Sequence, residues 1–301
     1  VADDMVRITG GTFRMGSDEF YPDERPAHER VVADFLIDRH QVTNEEYARF
    51  VDDTGYVTVA ERELDPRDFP GADPADLVPG AMVFTPTAGP VDLRDWRNWW
   101  RWQPGAHWRA PFGPASGIDD RLRHPVVHVA FEDATAYAAW AGKRLPTEAE
   151  HEYAARGGLD GARFAWGDEP YPGGVPQANS WIGRFPYDNQ GWGGTAPVGS
   201  YPANGYGLFD MIGNTWEWTS DYYTPRHVQL SDAPIDAGKR ENLLAAASAQ
   251  EGFEALPRRV LKGGSHLCSP EYCLRFRPAA RSPQTEDTGM SHIGFRCARD
   301  A

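Results

Sequence analysis

Hydrophobic and polar positions along this chain keep a regular period only in short bursts. Met5 to Met15 reads as strand on both sides of a Gly10-Gly11 turn, and a second apolar run follows at Val31 to Ile37. The period then lengthens. Thr43-Asn-Glu-Glu46 is a Thr-x-x-Glu capping box. Tyr47, Phe50 and Val51 share the inner face of the helix it opens, and Gly55 stops it. A second helix is expected from about Glu132 to Ala141, with Ala134, Tyr137, Ala138 and Ala141 on one face and Gly142 at its end. A third begins behind Pro146 at another capping box, Thr147-Glu-Ala-Glu150, and ends at Gly157-Gly158. Beyond it, Gly, Pro and Asn turns separate short apolar strings. Val260 to Lys262, Leu274 to Ala279 and Ile293 to Ala298 are the strand candidates there. An acidic, Ala-containing stretch at 228–256 reads as a surface excursion. No tandem repeat and no linker is visible, so the expectation is a single α+β domain over residues 1–301 with low regular secondary structure.

Composition sharpens that picture. The 301 residues include 31 Gly and 25 Pro, roughly a fifth of the chain against an average of about 12%. Ordered coil is therefore expected to dominate, held by 11 Trp, 12 Tyr and 14 Phe. Trp96, Trp99, Trp100, Trp102 and Trp108 crowd into the Pro- and Gly-rich region 62–125, either as the lining of a groove or as the packing of a long coil. The formal charge of −14 disfavours nonspecific nucleic-acid binding, which needs a cationic face. It suits hard cations such as calcium, or a basic peptide. There is no apolar run of 18 residues and no charged-then-apolar leader, so neither a membrane span nor a secretory signal is expected. Three Cys are too few for a disulfide scaffold, and a cytoplasmic location is the expectation.

Chemistry concentrates at Cys268 and Cys273 in GGSHLCSPEYC (263–273). Pro270 stands at the second position of a turn that would fold the segment back and bring the two sulfurs together. The pair then has three readings: inert buried thiols, a disulfide, or a bis-thiolate holding a soft metal. Zinc fits poorly, because a structural site wants four ligands and the local supply of Cys and His is thin. Two thiolates with no further strong donor favour monovalent copper. Cys297 stands alone in an apolar pattern and reads as a small core residue.

These residues carry a resemblance. GGSHLCSPEYCLRFRPAAR (263–281), HIGFRCARD (292–300), WAGKRLPTEAEHEYAARGG (140–158) and NGYGLFDMIGNTWEWTSD (204–221) resemble formylglycine-generating enzymes of the sulfatase-modifying-factor family. ITGGTFRMGSDE (8–19) and VTNEEYARFVDDTGY (42–56) match as well, so the similarity runs from end to end. The resemblance implies a C-type-lectin-like fold and an oxidase. Such enzymes convert a cysteine of a CxPxR-type peptide in an unfolded sulfatase to Cα-formylglycine, using O₂, Cu(I) and an external reductant.

By position, Cys268 and Cys273 would be the copper ligands. Ser265 and Tyr272 would be hydrogen-bonding groups beside the metal, Trp216 a wall of the pocket, and Arg281 a fixed cation. The resemblance also implies calcium. One set is Asp210, Glu217 and the Gly213 and Thr215 carbonyls. A second is Asn179, the Ser180 carbonyl and the DNQGW loop (188–192), with Gln190, or else Asp188 or Asn189, supplying a side chain and Trp192 a carbonyl. Ala138 and Pro278 stand where some relatives carry bridging Cys, so those crosslinks are not expected. His292 replaces an Asn of relatives, which puts a substrate contact there in doubt. Two other readings compete. An iron-dependent sulfoxide synthase would need a histidine triad, and His124-Pro-Val-Val-His128 is the one His-x-x-x-His. A noncatalytic lectin-like binding module would have no use for paired thiols.

Overall fold

The computed structural model describes residues 4–68, 71, 73, 77–227 and 257–301, so the excursion at 228–256 lies outside the described residues. In chain order the elements are β1 (Met5–Ile8), β2 (Gly11–Met15), β3 (His28–Val32), β4 (Phe35–Asp38), α1 (Asn44–Thr54), β5 (Gly80–Phe84), β6 (Trp100–Pro104), α2 (Phe131–Trp140) and α3 (Glu148–Arg156). They continue with β7 (Gly183–Arg184), β8 (Asp188–Asn189), β9 (Trp216–Tyr222), β10 (Arg258–Lys262), β11 (Arg281–Thr285), β12 (Ile293–Gly294) and β13 (Ala298–Asp300). Short 3₁₀ turns join some of them. The class is α+β.

Local rules account for the helices. Thr43 and Thr147 each accept from the backbone N–H three residues on, and Glu46 and Glu150 reach back to the cap. Gly55 and Gly157 end α1 and α3 in the left-handed conformation, where a Cβ would be strained. The strands form two sheets, β1-β4-β13 and β11-β10-β9-β12, with hairpins β2-β3, β5-β6 and β7-β8.

Two strand expectations need correction. Leu274 to Ala279 is not a strand. Phe276 and Arg277 are both buried although they are neighbours, and Arg277 Nε closes a turn on the Leu274 carbonyl. The strand comes later, as β11. Ile293 to Ala298 splits in two: β12 runs parallel to β9, and β13 pairs with β4, so one apolar string stitches the two sheets together. All six residues of that string are buried, and its one charged member, Arg296, is paired with Glu217 at 2.7 Å.

The main core packs Phe35, Ile37, Tyr47, Phe50, Trp108, Tyr137, Trp218, Phe295 and Cys297. Cys297 is thus a core thiol, as expected. Beside this core lies a layer of buried ion pairs, Lys262 with Glu152, Arg277 with Glu24, and Arg281 with Glu148. They fix β10, α3 and the 274–281 segment beneath the cysteine loop. A charge buried this deeply persists only with its partner, so these pairs specify geometry more than they add stability.

Candidate active site

The cysteine loop folds as its proline predicts. The Ser269 carbonyl accepts from the N–H groups of Tyr272 (2.9 Å) and Cys273 (2.6 Å), which turns the chain back on itself. Upstream, Gly263 and Gly264 take φ of 90° and 74°. A Cβ on Gly264 would sit 2.7 Å from the Arg275 carbonyl oxygen, so only glycine lets the two arms of the loop close. Both thiols are free, and their sulfurs stand 3.6 Å apart. That is far beyond the ~2.05 Å of a disulfide. It is close enough for one point to lie about 2.3 Å, an ordinary metal–thiolate length, from both sulfurs.

Ser265 brackets the first thiol. Its N–H donates to Cys268 Sγ at 3.4 Å, its carbonyl accepts from Cys268 N–H, and its hydroxyl accepts from Leu267 N–H. The thiols open into a cleft of about 310 Å³ walled by Trp99, Trp100, Trp216, Tyr272 and His292, with Tyr21 and Arg275 on another side. Tyr272 stacks flat on Phe185 at 4.6 Å and meets the edge of Trp99 at 5.3 Å, which holds its ring upright at the mouth. Arg275 lies 4.0 Å over the Tyr21 ring and pairs with Asp23 at 2.9 Å. The two thiols are shifted in opposite directions. The hydrogen bond from Cys268 lowers the Cys273 thiol, with help from the nearby Arg275 against the effect of burial. The same hydrogen bond, together with burial, pushes Cys268 well up.

A soft, sulfur-preferring monovalent ion fits this donor set. Among the described residues no cluster of three or more His, Cys, Asp or Glu gathers to hold a metal, so the pair stands as a two-donor chelate. The histidines of the iron reading do not converge on a site. His124 Nδ1 lies 2.9 Å from Thr195 Oγ1, and His128 Nε2 donates to the Pro111 carbonyl at 2.8 Å.

Cys268, Cys273, Ser265, Tyr272 and Trp216 therefore meet in one cleft, but Arg281 does not join them. Its guanidinium is buried beneath the loop, donating to the Asp23 and Thr224 carbonyls and to Glu148. A buried cation takes the carboxylate within reach. The arginine of the cleft is Arg275. Sequence reasoning missed it, as it missed Tyr21, because nothing local distinguishes an arginine facing a cleft from one facing a carboxylate. His292, whose role was in doubt, is a wall residue that meets the Trp100 ring at 4.8 Å.

The expected calcium cluster at 210–217 is organised differently. Both Glu217 oxygens are occupied, by Arg296, His151 and Gln41. The Gln41 amide nitrogen sits among Glu217 Oε1, the Thr215 carbonyl and the Asp210 carbonyl, at 3.0, 3.2 and 3.4 Å. Gly213 has φ 80° and donates its N–H to the Gly263 carbonyl. Asp210 Oδ1 and Thr215 Oγ1 are buried without a partner, but with both Glu217 oxygens taken these residues as arranged do not fit a calcium shell of six to eight oxygens. Their work is to carry β9 against the cysteine loop. At the second set, the Asn179 amide donates to the Gly194 carbonyl and Asn214. Asn189 Oδ1 and the Ser180 carbonyl oxygen flank Gly191, 3.2 and 3.8 Å from where its Cβ would stand. Asn189 Oδ1, which accepts from Gly191 N–H at 2.8 Å, thus shares that corner with Ser180, and Trp192 is exposed.

Comparison with known proteins now bears on this cleft. The family profile described as Sulfatase-modifying factor enzyme 1-like domain matches residues 1–301. The chain belongs to the sulfatase-modifying factor family. A Mycobacterium tuberculosis family member named formylglycine-generating enzyme is 60% identical over 300 residues, covering 99% of this chain and 98% of its own. One of the same name from Streptomyces coelicolor is 47% identical over 304 residues, covering 99% and 89%. A Mus musculus relative named inactive C-alpha-formylglycine-generating enzyme 2 is 37% identical over 313 residues, covering 99% and 86%. Membership of the sulfatase-modifying factor family alone therefore leaves the question of catalysis to the cleft. Among solved structures, PvdO from Pseudomonas aeruginosa is similar with a TM-score of 0.61 at 27% identity, covering 99% of this chain and 94% of its own.

Proposed function

We propose that this protein is a formylglycine-generating oxidase. It acts on the cysteine of a CxPxR-type segment in an unfolded sulfatase, with Cu(I) held by Cys268 and Cys273, O₂ as oxidant and an external reductant. The observation that carries the reading is the pair of free sulfurs 3.6 Å apart at the floor of an aromatic cleft, in a chain 60% identical to a protein of that name. Bound copper would supply the electron-transfer chemistry between thiol and O₂ that amino-acid side chains lack. One O₂, two electrons and two protons then account for conversion of a primary thiol to aldehyde, hydrogen sulfide and water.

The chain's own residues do the rest. The turn at 269–272 fixes the sulfur separation. Ser265 N–H stabilises charge on Cys268, and Arg275 favours the anionic form of Cys273. Trp99, Trp100 and Trp216 keep water from the reacting thiol, and the Tyr272 hydroxyl stands at the mouth to orient the entering group. A calcium ion at the 179–191 corner is a separate structural part of the proposal, with Asn189 and the Ser180 carbonyl as its donors. The test is incubation with Cu(I), a reductant, O₂ and a CxPxR peptide, followed by aldehyde capture. Aldehyde is expected, and the Cys268→Ser and Cys273→Ser variants are expected to lose both aldehyde formation and one bound copper per reduced chain. Copper bound at that stoichiometry with no aldehyde would favour the binding-module reading.

A further inference from the structure

The hairpin that walls the cleft has an open edge. Thr85 N–H bonds to the Trp99 carbonyl and Gly105 N–H to the Pro79 carbonyl, which sets the alternation of the β5-β6 ladder between them. On this register Arg101 and Gln103 turn their backbone groups toward β5, and Trp100 and Trp102 turn theirs away. The other face of β5 agrees with this. Phe84 N–H goes to Ser291 Oγ, and the Met82 carbonyl accepts from Ser291 N–H, so the residues opposite Trp100 and Trp102 point outward on their own side. Nothing among the described residues pairs with the outer edge of β6. Arg101 caps the Trp100 carbonyl at 3.0 Å, which leaves Trp100 N–H and both backbone groups of Trp102. Pro104 ends the edge, since it has no N–H to offer.

This edge starts inside the cleft and leaves it. Trp100 lines the thiol pocket, while Trp102, two residues on and on the same face, is 44% exposed with its indole N–H tied to the Val78 carbonyl. A short exposed edge beside an aromatic ring suits strand addition, in which main-chain bonds give affinity whatever the sequence. Taking the oxidase reading as given, we propose that the client polypeptide, extended on one flank of its target cysteine, adds as a third strand to β6 through Trp100 and Trp102. Recognition by backbone requires a client with free N–H and C=O groups, so a folded chain is refused and many unfolded sequences are accepted.

The test uses the intact protein and a fluorescent CxPxR peptide with extended flanks and Ser in place of the target Cys. Single N-methyl groups are walked along each flank, and binding is read by anisotropy. Pairing predicts about fivefold weaker binding at alternate positions of one flank and none at the positions between, because only every second N–H faces β6. No effect on either flank, or an effect without that alternation, overturns the proposal. In the protein, Trp102→Pro removes an outward N–H that the β5 ladder does not use. Compared with Trp102→Ala, it should lower the ratio of kcat/KM for long over minimal peptides about fivefold. An equal ratio in the two variants overturns the proposal. So would a dimer of the wild-type chain that Trp102→Pro breaks with peptide binding unchanged. The two readings fail separately. Absence of aldehyde from any peptide while the alternation persists sinks the oxidase and keeps the edge. Aldehyde from every peptide without alternation sinks the edge alone.

Discussion

His128 makes a sharp test of how burial governs this fold. Its ring is fully buried, its backbone sits at φ 60°, and its Nε2–H donates to the Pro111 carbonyl. Nδ1 is left buried with no partner, so protonation would place a cation there with nothing to receive it. Burial, reinforced by nearby His107, pushes the imidazole down to about 4. The unfolded value is about 6.5. Because the folded form binds its proton less readily, the contribution to stability is complete above pH 6.5 and is lost as pH falls toward 4. With 1.36 kcal/mol per pKa unit, this residue alone costs the fold about 2 kcal/mol between pH 7.5 and 5. Asparagine tolerates the left-handed backbone, so His128→Asn removes the titration with little strain. Urea unfolding followed by tryptophan fluorescence, at half-unit steps across that range, gives the difference in stability between the two proteins. The wild type should lose about 2 kcal/mol of its advantage on going from pH 7.5 to 5. A gap that stays constant across the range would show that His128 titrates as it does in the unfolded chain, and the burial argument would fail.

Arg277→Met strands Glu24, which is fully buried, and should cost about 3–5 kcal/mol by denaturant unfolding; a loss under 1 kcal/mol would mean that the carboxylate takes up a proton without difficulty. Gly264→Ala forces a Cβ into the Arg275 carbonyl from a left-handed backbone, so copper stoichiometry should drop even where the protein stays folded. Full copper loading in that variant would dissociate the loop from the metal. Calcium should raise Tm in the wild type and not in Asn189→Ala; equal shifts would remove Asn189 from the ion. Arg296→Met leaves Glu217 with His151 and Gln41 alone in a dry core, and a destabilisation of about 3 kcal/mol or more is expected by urea unfolding.

Punctuation was the legible part of the sequence. Capping boxes at Thr43 and Thr147, and glycines at 55, 142 and 157, announce helix ends through rules confined to four residues, and those ends stand where they were expected. The turn at Pro270 is local in the same way. The failures are all nonlocal. Leu274 to Ala279 reads as a strand because it is a short apolar string between turns, yet Arg277 within it is charged and buried, its partner Glu24 arriving from far up the chain. Arg281 and Arg275 are indistinguishable until Glu148 and Asp23 are in place around them. The acidic and carbonyl oxygens at 210–217 carry a cation pattern that the neighbouring Gln41, Arg296 and His151 consume. The tryptophan cluster satisfied both of its readings, with Trp108 in the core, Trp99 and Trp100 in the cleft wall, and Trp96 and Trp102 outside.

The stitch between the two sheets has a bearing on synthesis. Phe35 is matched to Asp300, so β4 keeps an unmatched border until nearly the whole of this sequence has been made. Loop-closure entropy has to be met before that contact returns anything, which predicts slow folding for a chain whose sheet is closed by so distant a pairing. A ribosome-bound nascent chain stalled short of β13 would display a sticky ribbon, and chaperone capture at that stage should be prolonged.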